Sequence, residues 1–412
     1  MRRAFVVVLD ACGVGALPDA AEYGDAGTNT LAHVAREVGG LELPALGRLG
    51  LGSIVELDGV PPAEAPVLHG RLRALGPGKD STAGHWGLMG VSTGQALPTY
   101  PDGFPEEVVE IVSAASGRGV ICNRPCNGIE AIEQCGGVHL ESGALIVYTS
   151  QDSVLQIAAH VDVLDPDDLY AICGEVREAL PADHAVGRVI ARPFAGSPGE
   201  WRRTDGRRDF SIAPPGRSYL EELQESAVEV HAVGKVGQLF AGVGIDAQHP
   251  GATNARALAE TTDLIRSLDA GFVFTNLVET DQVYGHRHDV VGFHGALREI
   301  DAAVAEWMAL LRPTDMLVLT ADHGCDPISP RTDHTREYAP VLAAFQGHGS
   351  RRHDGSLADV GASVLAWLAG GPAGQVAGGR ADQLAGGRAD QLAGGRADQL
   401  PGESFVAPGV GD

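Results

Sequence analysis

Short apolar runs that end in charged side chains dominate the pattern of this chain. The runs cover residues 4–9, 271–278 and 316–319. The last alternates too little between apolar and polar positions for a half-exposed strand, and all three predict buried β-strands. Buried parallel strands end together at the carboxyl edge of an open α/β sheet, where such sheets bind ligands. The pattern therefore predicts an α/β core with a site at that edge.

Helical spacing accounts for much of the remaining pattern. It predicts helices that start at Ser81 and after Pro215, and helices at 167–179, 255–267 and 296–311. Residues 143–149 predict a further apolar strand, and the spacing from Val154 onward predicts a helix with Ser150 or Asp152 near its cap. Alternating strands and helices of this kind are typical of an α/β protein.

The character of the chain changes near Pro98, where prolines crowd a short connection before a second series of strand and helix candidates. We interpret this segment as a smaller α/β cap, or lid, inserted into the core. The predicted division is a core in two parts, 1–97 and 216–370, with the cap at 98–215 and a tail at 371–412.

The tail contains AGGRADQL three times in tandem, from 377 to 400. A period of eight with two glycines and one leucine matches no solenoid unit and buries little apolar surface. We interpret it as a surface loop or tail that arose by repeat slippage and carries no function.

Composition narrows the function. The chain has 412 residues, 44% hydrophobic and 20% charged, so it has enough apolar residues for a large core. A formal charge of -24 disfavours nucleic acid and favours small or metallic partners. No run resembles a signal peptide or a membrane span, and the six irregularly spaced cysteines suit reduced thiols. These features predict a cytoplasmic protein.

Carboxylates and imidazoles stand where the apolar runs end. Asp and His side chains suit borderline and harder cations such as zinc, manganese or iron. A lone aspartate after a strand also serves as a turn cap, and only the joint placement of the groups favours metal binding. Two cations about 3.5–4 Å apart are typical of phosphoryl transfer. The candidate ligands are Asp10, Asp281, His286, Asp322, His323 and His334.

Nearby polar groups are interpreted as surface or supporting groups. They are His288, Asp289, His294 and Glu279, of which the last is a candidate to orient an imidazole.

Ser81 is the candidate nucleophile. It lies in the turn GPGKDSTAGHW at a predicted helix start, next to Lys79. Helix N-terminal N–H groups and a neighbouring cation favour an attached phosphoryl group. Considered alone, KDST is equally an ordinary helix N-cap sequence.

An arginine-rich segment predicts a clamp for a phosphorylated substrate. Six arginines between 188 and 208 face three acids within 188–209, a local net of +3 in an acidic chain. Guanidinium groups bind phosphate oxygens bidentately. Our candidates are Arg188, Arg192 and Arg203, and the alternative is a solvated charged loop. The turn with Ser150 and Asp152 is a candidate for sugar binding, with an ordinary strand-to-helix cap as its alternative.

Three cysteines, Cys122, Cys126 and Cys135, fall close together in the sequence. No second pair stands at zinc-ligand spacing, so we predict packing thiols and not a zinc site.

Long motifs of this chain resemble those of the bacterial phosphopentomutases, in the alkaline phosphatase superfamily. The resemblance spans residues 1 to about 365. It implies a doubly wound core sheet with a lid inserted after the nucleophile helix, two manganese ions, and interconversion of ribose or deoxyribose 1-phosphate with the 5-phosphate. The motifs are VVVLDACGVGALPDAAEYGDAGTNTL, GKDSTAGHW, YTSQDSVLQIAAH, GRVIARPF, NLVETDQVYGHRHD and TADHGCDPISPRTDHTREYAP.

The same resemblance implies roles for individual residues. One metal would be held by Asp281, His286 and His334, and the other by Asp10, Asp322 and His323, with the nucleophile touching the latter. Ser150, Asp152, Arg188, Arg192 and Arg203 match lid positions associated with the sugar phosphate.

Three positions depart from the family pattern. The family usually has threonine where this chain has Ser81, and Thr82 is a second candidate one position away. Cys325 and Glu279 replace the usual asparagine and aspartate. These changes affect groups around the ligands and not the ligands themselves.

The resulting hypothesis is a monomeric mutase that works on small pentose phosphates through phosphorylated Ser81, primed by a sugar bisphosphate, with a pentose 1,5-bisphosphate intermediate. The alternatives are a metal-dependent phosphatase, a cofactor-independent phosphoglycerate mutase, and a protein that only stores or senses metal. No nucleic acid or membrane partner is expected.

Overall fold

The computed structural model describes residues 1–150, 153–347, 349–370 and 400–406. Asp152 and nearly all of the AGGRADQL repeat lie outside the described residues. The chain divides into two compact units, each with its own sheet. The first comprises Met1–Gly94, Pro214–Gly237 and Val243–Asp412, and the second comprises Gln95–Ala213 and Gln238–Gly242.

The strands of the described residues are numbered in chain order. They are β1 (Arg3–Leu9), β2 (Leu68–Arg73), β3 (Val120–Pro125), β4 (Leu145–Thr149), β5 (Val154–His160), β6 (Arg188–Ala195), β7 (Arg202–Arg203), β8 (Arg208–Ser211), β9 (Val230–Val233), β10 (Ala247–His249), β11 (Gly271–Leu277), β12 (Asp315–Thr320), β13 (Ala339–Ala344) and β14 (Gly355–Ser356).

The α-helices are numbered in the same way. They are α1 (Thr30–Glu37), α2 (Pro44–Leu49), α3 (Leu51–Ile54), α4 (Ser81–Leu88), α5 (Glu106–Ser116), α6 (Gly128–Ser142), α7 (Pro166–Ala179), α8 (Tyr219–Glu225), α9 (Val236–Leu239), α10 (Asn254–Ser267), α11 (Val290–Leu310) and α12 (Ala358–Ala369). Short 3-10 or π turns lie at Ala20–Tyr23, Ala182–His184, Thr280–Tyr284 and Gly285–Arg287.

The sheet of the first unit has eight strands in the order β10-β9-β11-β1-β12-β13-β2-β14. The five strands from β10 to β12 run parallel, and β13 is antiparallel to both of its neighbours. Every residue of β1, β11 and β12 is buried, as the apolar runs predict. The predicted α/β fold, with a core sheet and a smaller inserted α/β unit, is confirmed.

The second unit has a mixed six-stranded sheet in which β3, β4, β5, β6 and β7 lie side by side and β8 also pairs with β6. Helices α5 and α7 pack on this sheet around a buried apolar cluster that includes Val108, Leu155 and Val176. The expected strand at 143–149 and the expected helix at 167–179 appear as β4 and α7.

The prediction of a helix from Val154 onward is wrong, because this segment is strand β5. It pairs antiparallel with β4 and parallel with β6, and all seven of its residues are buried. A short segment that is mostly apolar shows no clear alternation of apolar and polar positions. Its residue pattern therefore cannot distinguish a helix from a strand. Ser150 accordingly lies between two strands and caps no helix.

A membrane-spanning helix is not found. Among the residues that the structure describes, no helix is both long and apolar enough to traverse a bilayer.

A buried ion pair ties the first strand of the core to its neighbours. Arg3 donates to Asp315 through Nε at 2.9 Å and through Nη2 at 2.5 Å, and both side chains are fully buried. The third guanidinium nitrogen, Nη1, donates to the carbonyls of Ile265 and Leu268. Every charge is therefore paired where β1, β12 and the end of α10 meet.

We predict that Asp315→Ala lowers the free energy of unfolding by about 3–5 kcal/mol, because it leaves the Arg3 charge buried and unpaired. The matched variant is Glu306→Ala, which breaks the exposed pair between Glu306 and Arg266 and should cost about 0–1 kcal/mol. Urea unfolding followed by tryptophan fluorescence measures both. Equal effects of the two variants would contradict the role given to the buried pair.

Candidate active site

Adjacent parallel strands carry the candidate ligands to one edge of the core sheet. Strand β1 lies between β11 and β12, with Leu9 opposite Leu277 and Val8 opposite Thr320. The residues that follow these strand ends therefore meet although they are hundreds of positions apart in sequence. They are Asp10 after β1, Asp281 and His286 after β11, and Asp322 and His323 after β12.

The first group of potential metal ligands consists of Asp281, His286 and His334, whose ligand atoms all lie within 4.8 Å of one another. Asp281 is the hub, since its Oδ2 is 3.4 Å from His286 Nε2 and its Oδ1 is 3.4 Å from His334 Nε2. A single π turn at Thr280–Tyr284 followed by a 3-10 turn places Asp281 and His286 on the same side of the chain.

The second group consists of Asp10, Asp281 and His323, again within 4.8 Å of one another and all buried. Asp322 is outside this trio, yet its Oδ2 lies 3.4 Å from His323 Nε2, the same distance that separates this nitrogen from Asp10 Oδ1. Asp281 belongs to both groups. The six candidate ligands thus form one continuous cluster with two places where three or more donors converge.

The protonation of His323 decides what this cluster can bind. Its Nδ1 lies 3.0 Å from the Gly324 carbonyl, which can only accept a hydrogen bond, so Nδ1 carries the proton. Burial lowers the pKa of His323, which keeps the imidazole neutral. The lone pair of Nε2 therefore faces the carboxylates of Asp10 and Asp322, and these acceptors have no hydrogen between them.

Buried oxygens of the three carboxylates also lack hydrogen-bond donors in the described part of the chain. The buried oxygens Oδ1 of Asp10, Oδ1 of Asp281 and Oδ2 of Asp322 have no hydrogen-bond partner among the described residues. Burial, followed by the nearby charges of Asp322 and Asp281, raises the pKa of Asp10 well above its usual value. Orphaned buried acceptors of this kind are rare unless an ion satisfies them. The residues present therefore fit a bound divalent metal.

At the first group, a bound cation would replace a proton on His286. Its Nδ1 donates to the carbonyl of Thr332, which turns Nε2 toward Asp281. Burial acts to lower the pKa of His286, but the hydrogen bonds with Asp281 and Cys325 raise it to about 12. A metal at this position must displace the Nε2 proton, so metal binding here is coupled to proton release.

Ser81 faces the second group. It is the first residue of α4, and its Oγ lies 3.1 Å from His323 Nε2, to which the hydroxyl can donate. Asp80, and not Ser81, is the N-cap, because its side chain accepts from the Ala83 N–H at 3.1 Å. The Ser81 hydroxyl is therefore not used in capping. Thr82, the second candidate, is 93% buried.

Lys79 does not act as an unpaired cation beside Ser81. Its Nζ forms ion pairs with Asp25 at 3.1 Å and Asp333 at 3.0 Å. It connects the turn before α4 to the loop that carries His334.

Close packing of α4 against the end of β12 fixes where Ser81 lies. A Cβ on Gly84 would come within 2.6 Å of both the carbonyl oxygen and Cβ of Asp322, so only glycine permits this approach. His85, one residue on, is fully buried and its Nδ1 lies 2.8 Å from the Ser81 carbonyl and 3.2 Å from Asp322 Oδ2.

Two supporting residues were not assigned a role in the sequence analysis. Asn276 donates to Asp10 Oδ2 at 3.0 Å from the neighbouring strand β11, and His85 contacts Asp322 as described. Asn276 and Thr275 are the two polar residues in an otherwise apolar run, which is the only sequence signal of Asn276. His85 stands in the GKDSTAGHW motif, where a helical repeat of four relates it to Ser81.

The groups interpreted as surface or supporting residues have local partners. Glu279 accepts from the Asn254 N–H at 2.9 Å at the start of α10, so the suggestion that it orients an imidazole is not supported. Asp289 caps α11, and His288 and His294 contact main-chain groups. Cys325 is buried beside His286, which places it around the ligands and not among them.

The candidate arginines lie together on the sheet of the second unit. Arg188 and Arg192 are four residues apart on β6, and Arg203 on β7 pairs with Phe194, so all three are on one face. Arg192 donates to Gln156 at 3.0 Å, and Asp209 pairs with Arg188 at 3.5 Å. Burial, then the charge of Arg207, lowers the pKa of Arg192 to about 10.

Comparisons with known proteins agree with this site. The metalloenzyme superfamily profile matches residues 2–369. The phosphopentomutase of Caldanaerobacter subterraneus subsp. tengcongensis is 46% identical over 377 residues, which covers 90% of this chain and 95% of the relative. That of Anaeromyxobacter sp. (strain K) is 48% identical over 371 residues, with 89% and 95% covered. That of Dictyoglomus turgidum is 47% identical over 343 residues, with 83% and 87% covered.

The chain belongs to the phosphopentomutase family. It is therefore an enzyme, and the predicted class, an isomerase of the intramolecular phosphotransferase type, is confirmed with the family. Membership of a metalloenzyme superfamily and the orphaned buried carboxylates together support a metal cofactor.

We predict that Asp281→Asn abolishes most of the stabilisation that a divalent cation confers, because Asp281 belongs to both groups of potential ligands. For the unmodified chain, a cation at about a hundred times its Kd should add roughly 2.7 kcal/mol of stability. Thermal unfolding of chelator-treated protein, with and without added Mn²⁺, measures this rise. Asp263→Asn, an exposed site on α10, is the matched control. If added Mn²⁺ raised the thermal stability of Asp281→Asn as much as that of the unmodified chain, the assignment of Asp281 as a metal ligand would be wrong.

Proposed function

We propose that this enzyme interconverts the 1-phosphate and the 5-phosphate of ribose or deoxyribose. The reaction passes through phosphorylated Ser81 and a pentose 1,5-bisphosphate, and a sugar bisphosphate supplies the first phosphoryl group. The observation that carries the proposal is the Ser81 hydroxyl, free of any capping role and 3.1 Å from a neutral imidazole inside a ligand-rich buried cluster.

The cofactor in this proposal is a pair of Mn²⁺ ions. Asp281, His286 and His334 would hold one, and Asp10, Asp322 and His323 would hold the other. Carboxylate and imidazole donors suit manganese. Bound there, the ions would neutralise charge on the transferring phosphoryl oxygens and lower the pKa of the Ser81 hydroxyl.

The protein groups position and stabilise the phosphoryl group on Ser81. Ser81 is the first residue of α4, and the positive end of the helix dipole favours a dianion there. The free hydroxyl of the substrate attacks phosphorus and gives up its proton, the bond from phosphorus to Ser81 Oγ breaks, and Ser81 Oγ takes up a proton. The bisphosphate then reorients or rebinds, and its other phosphate returns to Ser81.

Substrate recognition is proposed for the second unit. Arg188, Arg192 and Arg203 present guanidinium groups on one sheet face and bind a phosphate, since planar guanidinium forks match its oxygens. Ser150 and Asp152 bind sugar hydroxyls, with Asp152 outside the described residues.

We also propose the cytoplasm as the compartment of this enzyme. All six cysteines are free thiols, which suits a reducing environment.

We predict that Ser81→Ala eliminates mutase activity while the cation-induced rise in thermal stability persists. Ser81→Thr should keep activity within about tenfold, because both residues offer a hydroxyl for phosphoryl transfer. Thr82→Ala tests the neighbouring candidate and should remain active. Intact-protein mass after incubation with pentose bisphosphate should show one added phosphoryl group in the unmodified chain and none in Ser81→Ala. Activity of Ser81→Ala would refute the nucleophile.

We predict a strong preference for pentose phosphates. Rates measured with ribose 5-phosphate should exceed those with 3-phosphoglycerate or a generic phosphate monoester by at least about a hundredfold, because a polar site matched to its substrate rejects analogues that leave buried groups unpaired. A dominant rate with 3-phosphoglycerate would indicate a phosphoglycerate mutase. Rapid release of inorganic phosphate would indicate a phosphatase, and metal binding without either reaction would indicate a storage or sensing protein.

A further inference from the structure

Three half-exposed thiols lie together in the second unit. Cys122 is on β3, Cys126 is in the turn that follows it, and Cys135 is on α6. The sulfur atoms of Cys122 and Cys126 are 3.9 Å apart, and the thiol of Cys135 also hydrogen bonds with Cys122. The other three cysteines of the chain are buried. Cys122 is thus the centre of a thiol cluster that solvent reaches.

An unusual backbone holds Cys122 in this position. Cys122 and Asn123 have φ angles of 79° and 37°, in the left-handed region that side chains rarely adopt. The pairing of β3 with β4 shifts by one residue here, between Cys122 and Arg124. Asn123 fixes this bulge by two hydrogen bonds to the main chain of Phe104, each 2.9 Å long. Bulges of this kind re-aim a side chain, here the thiol of Cys122.

A guanidinium group lies beside the thiol cluster, and burial affects the pKa values of its thiols. The guanidinium of Arg124 hydrogen bonds with the sulfur of Cys122, which raises the pKa of Arg124. Burial and then the charge of Cys122 raise the pKa of Cys126 to about 12 and that of Cys135 to about 11. The charge of Arg124 acts in the opposite direction on both Cys126 and Cys135. Because Cys122 is next to both other thiols, the geometry suits Cys122 as the attacking thiol and its neighbours as resolving thiols.

We propose that Cys122, Cys126 and Cys135 form a redox modification site, at which a small-molecule disulfide oxidises Cys122 and Cys126 to an intrachain disulfide. Cys135 replaces Cys126 as the resolving thiol when Cys126 is absent. The sulfurs must move about 1.9 Å closer to reach a bond length near 2.05 Å.

The chemistry balances without any further reactant. The Cys122 thiolate attacks one sulfur of the small disulfide, breaks its S–S bond and releases one small thiol. Cys126 loses its proton and attacks the Cys122 sulfur in the mixed disulfide, which releases the second small thiol. Two protein thiols are oxidised, and one small disulfide is reduced to two thiols.

The turn that carries Cys126 lies close to Arg203, one of the three arginines on the shared sheet face. The Cys126 N–H donates to the Thr149 carbonyl at 3.2 Å, which connects the turn to the end of β4. Two residues later, Gly128 packs so closely against the Tyr148 hydroxyl and an Arg203 guanidinium nitrogen that a Cβ there would clash with both. Movement of Cys126 toward Cys122 therefore displaces groups that contact Arg203.

A functional consequence follows, and it rests on the proposed role of Arg203 in binding substrate phosphate. Formation of the disulfide should raise the KM for pentose phosphate more than it lowers kcat, because the phosphoryl-transfer residues lie in the other unit. Misplacement of one charge-assisted hydrogen bond to phosphate should raise KM roughly tenfold or more.

Thiol counting tests the modification site without reference to activity. The native full-length protein is incubated with glutathione disulfide over a range of ratios to glutathione, alkylated with iodoacetamide, and weighed intact. The unmodified chain should lose two reactive thiols and regain them with dithiothreitol. Cys122→Ser should form no intrachain disulfide, Cys135→Ser should behave as the unmodified chain, and a Cys126→Ser, Cys135→Ser double variant should stop at a glutathione adduct.

Two outcomes would overturn the proposal. One is retention of all reactive thiols by the unmodified chain under oxidation. The other is equally ready disulfide formation in Cys122→Ser.

Kinetics then test the coupling to substrate binding. Oxidised unmodified enzyme should show the raised KM, while Cys122→Ser treated in the same way should not. Equal KM values for these two samples would overturn the coupling. If the enzyme proves not to be a pentose phosphate mutase, the thiol counts still test the modification site independently of its activity.

Discussion

Electrostatic repulsion among buried acceptors is the constraint on which the core of this protein depends. The carboxylates of Asp10 and Asp322 each lie 3.4 Å from the unprotonated nitrogen of His323, and Asp281 belongs to the same buried cluster. Burial and this repulsion both raise the pKa of Asp10, and burial removes the water that would otherwise relieve the repulsion. A bound metal would neutralise these groups, so the fold and the metal site are aspects of one arrangement.

The scaffold around this cluster is correspondingly rigid. Parallel strands hold three of the ligand segments in register, and the absence of a side chain at Gly84 lets helix α4 lie directly against Asp322. Asn276 and His85 orient two of the carboxylates from neighbouring elements. A hydroxyl at the first position of such a helix is placed without any flexible linker, as positional catalysis of phosphoryl transfer requires.

The second unit solves a different electrostatic problem, which is to keep several arginines close together. Asp209 pairs with Arg188 and Arg207 and offsets part of their repulsion, while Arg192 is held by the neutral side chain of Gln156. A partly compensated cluster of this kind retains positive charge for an anion. The thiol cluster lies near the same sheet, at the turn beside Tyr148 and Arg203.

Sequence by itself determined the buried strands, the α/β class and the catalytic family, because apolar runs and long ordered motifs are local properties of the chain. It also pointed to Asp10, Asp322 and their partners, since chemically reactive residue types stand directly after strand ends. Only the tertiary structure decided that Val154–His160 is a strand, because the sheet partners of a short, mostly apolar segment determine its conformation. The same holds for Glu279, whose carboxylate turns to the start of α10. Contacts between residues distant in sequence, such as Asn276 with Asp10, leave no local pattern, and the meeting of the three thiols depends on a backbone bulge that residue spacing does not reveal.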